Sequence, residues 1–200
     1  MKQIEKLLQV SYQLANANLH EILNNIIPKK DVVVIGIEGP SGSGKTTLSK
    51  QITKEFTSKK AALIPLDDYI RYTPNEMKKN EISTRYDWRS RDRQKLLEDI
   101  EDLRNGKVIT KPMQNFVSES PWDKEQIVEP QPYIIVEGNL DVSDIADVVI
   151  FLFASDAVLS ERRFARDKGK NIHNDLGKLR LSIEQSLPLP ANKPETNNSQ

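Results

Sequence analysis

The 200-residue chain has no cysteine, which excludes a disulfide framework, a thiol nucleophile and a thiolate metal site. It carries no net charge: 29 Lys and Arg balance 29 Asp and Glu, so no global field draws it to nucleic acid or to a membrane. No apolar stretch approaches the ~20 residues needed to span a bilayer. The start, Met1-Lys2-Gln3-Ile4-Glu5-Lys6, lacks the long apolar core of a signal peptide. The two histidines, His20 and His173, form no metal-ligand cluster, and there are no repeats. A soluble, cytoplasmic chain of one domain with a real core is the expectation.

What is present is Gly39-Pro40-Ser41-Gly42-Ser43-Gly44-Lys45-Thr46, which matches G-x-x-x-x-G-K-[ST]. The motif needs a strand before it and a helix after it. Val32-Val33-Val34-Ile35-Gly36-Ile37 reads as the buried strand, and Leu48, Ile52 and Phe56 recur at helical period. Glycines let the backbone turn with positive φ and approach a ligand closely. Successive N–H groups then form an anion nest, reinforced by the N-terminus of the helix. Lys45 is expected to reach the β- and γ-phosphates of ATP and Thr46 to place its hydroxyl on Mg²⁺. Gly39, Ser41, Gly42, Ser43, Gly44, Lys45, Thr46 and Thr47 make up the expected nucleotide site.

Along the chain, Ile4, Leu7, Leu8, Leu14, Leu19, Ile22, Leu23 and Ile26 suggest one or two amphipathic helices over 2–27, ended by Pro28. Residues 61–66 read as a second strand, with Pro65 limiting its pairing. A helix is expected from Ser90 to Asn105, with the stripe Leu96, Leu97, Ile100, Leu103 and a stop at Gly106. Val108-Ile109 and Gln126-Ile127-Val128 read as arms of a hairpin within 107–130, with Ser118-Glu119-Ser120-Pro121 near its turn. Strands follow at 133–136 and 148–153, then a helix from Asp156. The expected organisation is one domain over 1–187, with an N-terminal helical extension (1–30), a core (31–187) and a disordered Pro-rich tail (188–200).

Apolar strands alternating with helices imply an α/β fold, a mostly parallel sheet of four or five strands with helices on both faces. Ligands in such sheets sit beyond the carboxyl ends of the strands. The glycine loop, Asp67 and Glu137 all fall at such ends. Glu137 after an apolar strand suits a Walker B role at the metal. Asp67 suits a metal contact or a base for an acceptor hydroxyl, and equally a helix N-cap or turn residue; Asp68 is its alternative. Arg162, Arg163 and Arg166 share a helical face, either a lid over phosphates or a solvated surface. Arg85, Arg89, Arg91 and Arg93 flank Asp87 and Trp88, a segment suited to an anionic or polyhydroxylated substrate or to a charged helix start.

The loop G-P-S-G-S-G-K-T-T, D-D-Y at 67–69, Y-D at 86–87, I-I-V-E-G at 134–138 and E-R-R-F-A-R-D at 161–167 resemble the uridine kinase family. That family groups with phosphoribulokinase and bacterial pantothenate kinase among P-loop small-molecule kinases. The resemblance spans about residues 31–170 and implies a P-loop kinase that moves the γ-phosphoryl group of ATP, with Mg²⁺, to a hydroxyl of a small metabolite. It implies Asp67 as base near the metal, Tyr69 as an aromatic near the acceptor, and Asp87 on ribose hydroxyls, with Tyr86 where the family has Phe. It implies Glu137 at the metal and Arg162, Arg163 and Arg166 as lid arginines, so that Lys45, Asp67 and Arg166 form the catalytic set.

Departures mark the acceptor side. Gln114 and Glu119 stand where uridine kinases carry the Tyr and His that help recognise a pyrimidine. The lid is shorter, and the last family strand has no counterpart after the lid helix. A nucleoside is the first expected acceptor; a sugar, a pantothenate-like molecule or another polyol is the alternative. A non-catalytic nucleotide-binding switch is the reading from another class. A homo-oligomer is compatible with the sequence, although no segment encodes one.

Overall fold

The four longest apolar runs become parallel strands because both of their faces are covered. The computed structural model describes residues 7–10, 27, 30–55, 61–114 and 124–168. The chain divides into two compact units, Met1–Ser155 and Asp156–Gln200. The first holds β1 (Leu7–Val10), β2 (Val33–Glu38), α1 (Lys45–Glu55), β3 (Ala61–Pro65), α2 (Pro74–Lys79), α3 (Arg93–Arg104), β4 (Ile109–Met113), β5 (Lys124–Val128), β6 (Tyr133–Glu137) and β7 (Val148–Leu152). The main sheet runs β1-β7-β2-β6-β3 with every pair parallel. A separate antiparallel hairpin pairs β4 with β5, Ile109 opposite Val128. In the second unit, α4 spans Asp156–Lys168.

Side chains alternate across the strands as a period of two requires. Val33, Ile35, Ile37, Ile135, Val148 and Ile150 face α1, where Leu48 and Ile52 meet them. Val34, Ala62, Ile64, Ile134 and Val136 face the other way, onto Leu96, Ile100 and Leu103 of α3 and onto Ile109 and Val128 of the hairpin. Each such buried aliphatic side chain contributes about 1.5–3 kcal/mol. Helices therefore cover both faces, as the alternating pattern implied.

Three boundaries differ from expectation. The stretch expected to be helical over 2–27 contains a strand at Leu7–Val10, which pairs with β7 at the sheet edge. A short apolar run does not distinguish strand from helix, and an open strand edge with unpaired N–H and C=O groups favours pairing. Most of the remaining stretch lies outside the described residues, as do the hairpin turn at 118–121 and the tail from 188. Helix α3 starts at Arg93 because Asp92 caps it, Oδ1 accepting the Lys95 N–H at 3.0 Å. Helix α2 was not anticipated, although its signal is present. Thr73 and Glu76 form a capping box, with Glu76 Oε2 accepting the Thr73 N–H at 2.8 Å and Pro74 at the first helical position.

The loop 138–147 closes the upper part of β2. Gly36 permits this: a Cβ there would lie 2.7 Å from Val142 Cγ2 and 3.2 Å from the Ala146 Cβ. At the far end Asp147 accepts the Val34 N–H at 2.8 Å and pairs with Lys30 at 3.0 Å and Arg104 at 3.3 Å. Nearer the glycine loop, Glu38 Oε1 accepts the Val142 N–H at 2.7 Å. Burial pushes the Glu38 carboxyl from its ordinary value of 4.5 up to about 7; the Val142 N–H opposes this, and the neighbouring Asp141 charge adds to it.

Two measurements follow from this packing. Gly36→Ala is expected to lower stability by about 1–3 kcal/mol in urea unfolding, because the added methyl overpacks against Val142. Folded Glu38 holds its proton over a range where the unfolded chain has released it, so its effect is loss of stability as pH rises from about 5 through about 7. Glu38→Gln keeps an acceptor for Val142 and removes the charge. The variant should exceed the parent by about 2 kcal/mol at pH 8, with the gap closing towards pH 5.

Candidate active site

The strand end after β2 turns sharply on glycines. Gly39, Gly42 and Gly44 have φ of 141°, 89° and 101°. A Cβ on Gly39 would fall 2.3 Å from the Leu152 carbonyl oxygen, so only glycine lets the loop leave β2 beside β7. The Ser43 N–H bonds the Pro40 carbonyl at 3.1 Å and the Leu48 N–H bonds the Gly44 carbonyl at 2.9 Å, joining the loop to α1. Lys45 Nζ donates to the carbonyls of Gly39 (2.8 Å) and Pro40 (3.0 Å), which lays the ammonium along the loop's own backbone. Ser41 and Ser43 are buried, and the Ser43 hydroxyl has no hydrogen-bond partner among the described residues. Thr47 is exposed.

Across from α1, Glu137 ends β6. Thr46 Oγ1 donates to its Oε1 at 3.0 Å, and Ser49 Oγ lies 3.0 Å from its Oε2 and 2.9 Å from the Lys45 carbonyl oxygen. Ser49 was not anticipated. Its signal was position: it follows Lys45 by four residues and Thr46 by three, and so shares their face of α1.

The adjacent carboxylates after β3 have different surroundings. Asp67 remains 50 % exposed, and its Oδ1 accepts Arg91 Nη2 at 2.8 Å. Asp68 is 15 % exposed; it pairs with Lys111, a β4 side chain that is 1 % exposed, and accepts the Gln114 N–H at 2.9 Å. Asp68 thus fastens the hairpin to the turn after β3, while Asp67 stays open to solvent. Tyr69, expected beside the acceptor, is instead fully buried in the core with its hydroxyl on Asp99 Oδ2 at 2.8 Å. Burial, followed by the Asp99 charge, pushes that hydroxyl well above its ordinary range. The turn Leu66–Tyr69 sets this orientation: it buries Leu66 and Tyr69.

Of the expected acceptor residues, Asp87 caps the short turn Trp88–Ser90. Its Oδ1 accepts the Arg89 N–H at 2.8 Å, and its Oδ2 accepts Arg89 Nε and Nη2 at 2.9 and 2.6 Å. The Arg89 hydrogen bonds hold its carboxyl below the usual carboxylate range. Tyr86 and Trp88 pack partly against the core, and Arg93 stacks over Trp88 at 5.3 Å. Arg91, grouped by sequence with Arg85, Arg89 and Arg93, is buried. The Gln114 Oε1 is buried without a hydrogen-bond partner among the described residues. Glu119 lies outside the described residues. Arg162, Arg163 and Arg166 are carried by α4 in the second unit, where Arg163 Nη2 lies 3.4 Å from Ser160 Oγ.

The donors fit a small hard cation and a polyphosphate. Thr46, Ser49 and Glu137 present oxygen only, and no group of three or more acidic, His or Cys side chains forms a closed cage among the described residues. Mg²⁺ characteristically takes one or two protein oxygens and completes its shell with water and phosphate. The left-handed glycines and the unpartnered Ser43 hydroxyl suit an anion on the loop.

The chain is 32 % identical over 145 residues to a uridine kinase of Latilactobacillus sakei subsp. sakei (strain 23K), covering 70 % of this chain and 68 % of that one. It is 33 % identical over 140 residues to a uridine kinase of Macrococcus caseolyticus (strain JCSC5402), covering 67 % and 68 %. A crystal structure assigned as a fructose transport system kinase from Silicibacter sp. TM1040 superposes with a TM-score of 0.66 at 19 % identity, over 86 % of this chain and 93 % of that one. The phosphoribulokinase / uridine kinase family model matches residues 34–177, and the chain belongs to that family.

Proposed function

We propose that the chain transfers the γ-phosphoryl group of ATP to a hydroxyl of a small metabolite, with a nucleoside as the first candidate acceptor and a sugar or other polyol as the second. The observation that carries this is the grouping of Lys45, Thr46 and Glu137 at the ends of β2 and β6, with Asp67 at the neighbouring end of β3. Kinship with uridine kinases supports the reaction class. The departures at Gln114 and Glu119 are why a sugar or polyol stays in view.

In this reading the loop N–H groups and Lys45 hold the β- and γ-phosphates, and Thr46 and Glu137 hold Mg²⁺, whose charge offsets that of the phosphates. Lys45 exchanges the Gly39 and Pro40 carbonyls for phosphate oxygens, replacing neutral acceptors with charged ones. Asp67 accepts the acceptor's hydroxyl proton, its exposure leaving room for that approach. Asp87 holds acceptor hydroxyls, and the buried Gln114 amide oxygen accepts from a donor on the acceptor. Arg162, Arg163 and Arg166 supply cationic charge to the transferring group.

An ADP-release screen of nucleosides, sugars and vitamins against ATP tests the reaction and names the acceptor; turnover of none of them removes the kinase reading. Lys45→Ala is expected to abolish ATP binding by calorimetry together with turnover, and retained activity would remove the loop assignment. Asp67→Asn should lower kcat by about 10²–10⁴-fold with ATP affinity within about threefold of the parent. Unchanged kcat would remove Asp67 as base. Thermal melts belong with this variant, since Asp67 is a charged acceptor on the buried Arg91 side chain.

A further inference from the structure

We propose that Arg91 is a positioning residue for the transfer, holding the Asp67 carboxylate from beneath through Oδ1. This rests on the kinase reading above. The Arg91 side chain is 0 % exposed, and each of its five N–H donors has an acceptor. Nε donates to the Leu66 carbonyl at 3.1 Å. Nη1 donates to the Arg85 carbonyl and to Ser90 Oγ, the latter at 3.1 Å. Nη2 donates to Asp67 Oδ1 at 2.8 Å and to Asn139 Oδ1 at 3.3 Å.

These acceptors belong to three segments: the turn after β3, the loop bearing Asp87, and the loop that follows Glu137. One rigid planar group therefore sets the distance between the base, the acceptor loop and the end of the metal-binding strand. A lysine cannot do this, because its ammonium has three donors and no fixed plane. A guanidinium that served only packing would be expected to find its counter-charge inside the core; here the anion it pairs with among the described residues is half-exposed Asp67. The second carboxylate oxygen of Asp67 has no hydrogen bond among the described residues, so the clamp fixes the carboxylate and leaves that oxygen to the acceptor.

A double-mutant cycle tests this with the full chain and an acceptor from the screen. Arg91→Gln is expected to lower kcat about 10–100-fold with KM for ATP within about twofold, because a misplaced base slows chemistry without loosening the nucleotide. In Asp67→Asn/Arg91→Gln, kcat should fall no further than in Asp67→Asn alone, since Arg91 acts through Asp67. Losses that multiply, or parental kcat in Arg91→Gln while Asp67→Asn is slow, overturn the positioning role and leave the kinase reading intact. Parental kcat in Asp67→Asn overturns the base assignment and this role with it. Should Arg91→Gln fail to fold, Arg91→Lys keeps the cation, loses the fork, and carries the same cycle.

Discussion

Parallel register at the top of the sheet is the constraint on which the site depends. Glu137 lies opposite Ile37 on one side and Pro65 on the other, so β2, β6 and β3 end at one level. Parallel strands direct all their C-terminal ends to the same edge. The glycine loop, the Glu137 carboxylate and the Asp67-Asp68 turn therefore emerge together although far apart in sequence. A shift of one residue in β6 would turn Glu137 to the opposite face and separate it from Thr46. Gly39 beside the Leu152 carbonyl and Gly138 beside Leu66 keep these ends close, since a Cβ at either position would come within 2.4 Å of its neighbour.

Charge is partitioned around that edge by burial. Asp68 is drawn inward by Lys111 and the Gln114 N–H, and so becomes part of the hairpin's attachment. Asp67, one residue earlier, is bound on one oxygen only among the described residues and stays half in solvent. The same division separates Arg91, fully buried, from Arg89, which lies exposed along Asp87. Neighbouring residues of one chemical type therefore take up different work, one tying segments together and the other facing outward. The first division comes from their partners: Lys111 of β4 reaches Asp68, and Arg91 reaches Asp67.

Much of this was legible in advance. The glycine loop between an apolar strand and a periodic helix, the alternation of strands and helices, the hairpin and the place of Glu137 at a strand end all follow from local spacing. Two other features were not legible. Tyr69 reads as an acceptor aromatic by motif, yet its hydroxyl finds Asp99 thirty residues away on α3. Arg91 reads as one of four arginines flanking Asp87 and Trp88, yet its acceptors span Leu66 to Asn139. The strand at Leu7–Val10 was missed because its partner, β7, lies far along the chain and no local period announces the pairing.

The sequence by itself determined the ligand class of the loop and the class of fold. Glycine φ requirements, helix N-terminal N–H groups and apolar period are properties of short segments, and they act wherever those segments are placed. Only the tertiary structure decided which of two adjacent aspartates faces solvent, which of four arginines is buried, and which aromatic serves the core. Those outcomes depend on partners distant in the chain and on how much water each group loses when the sheet, helix α3 and the hairpin close over it.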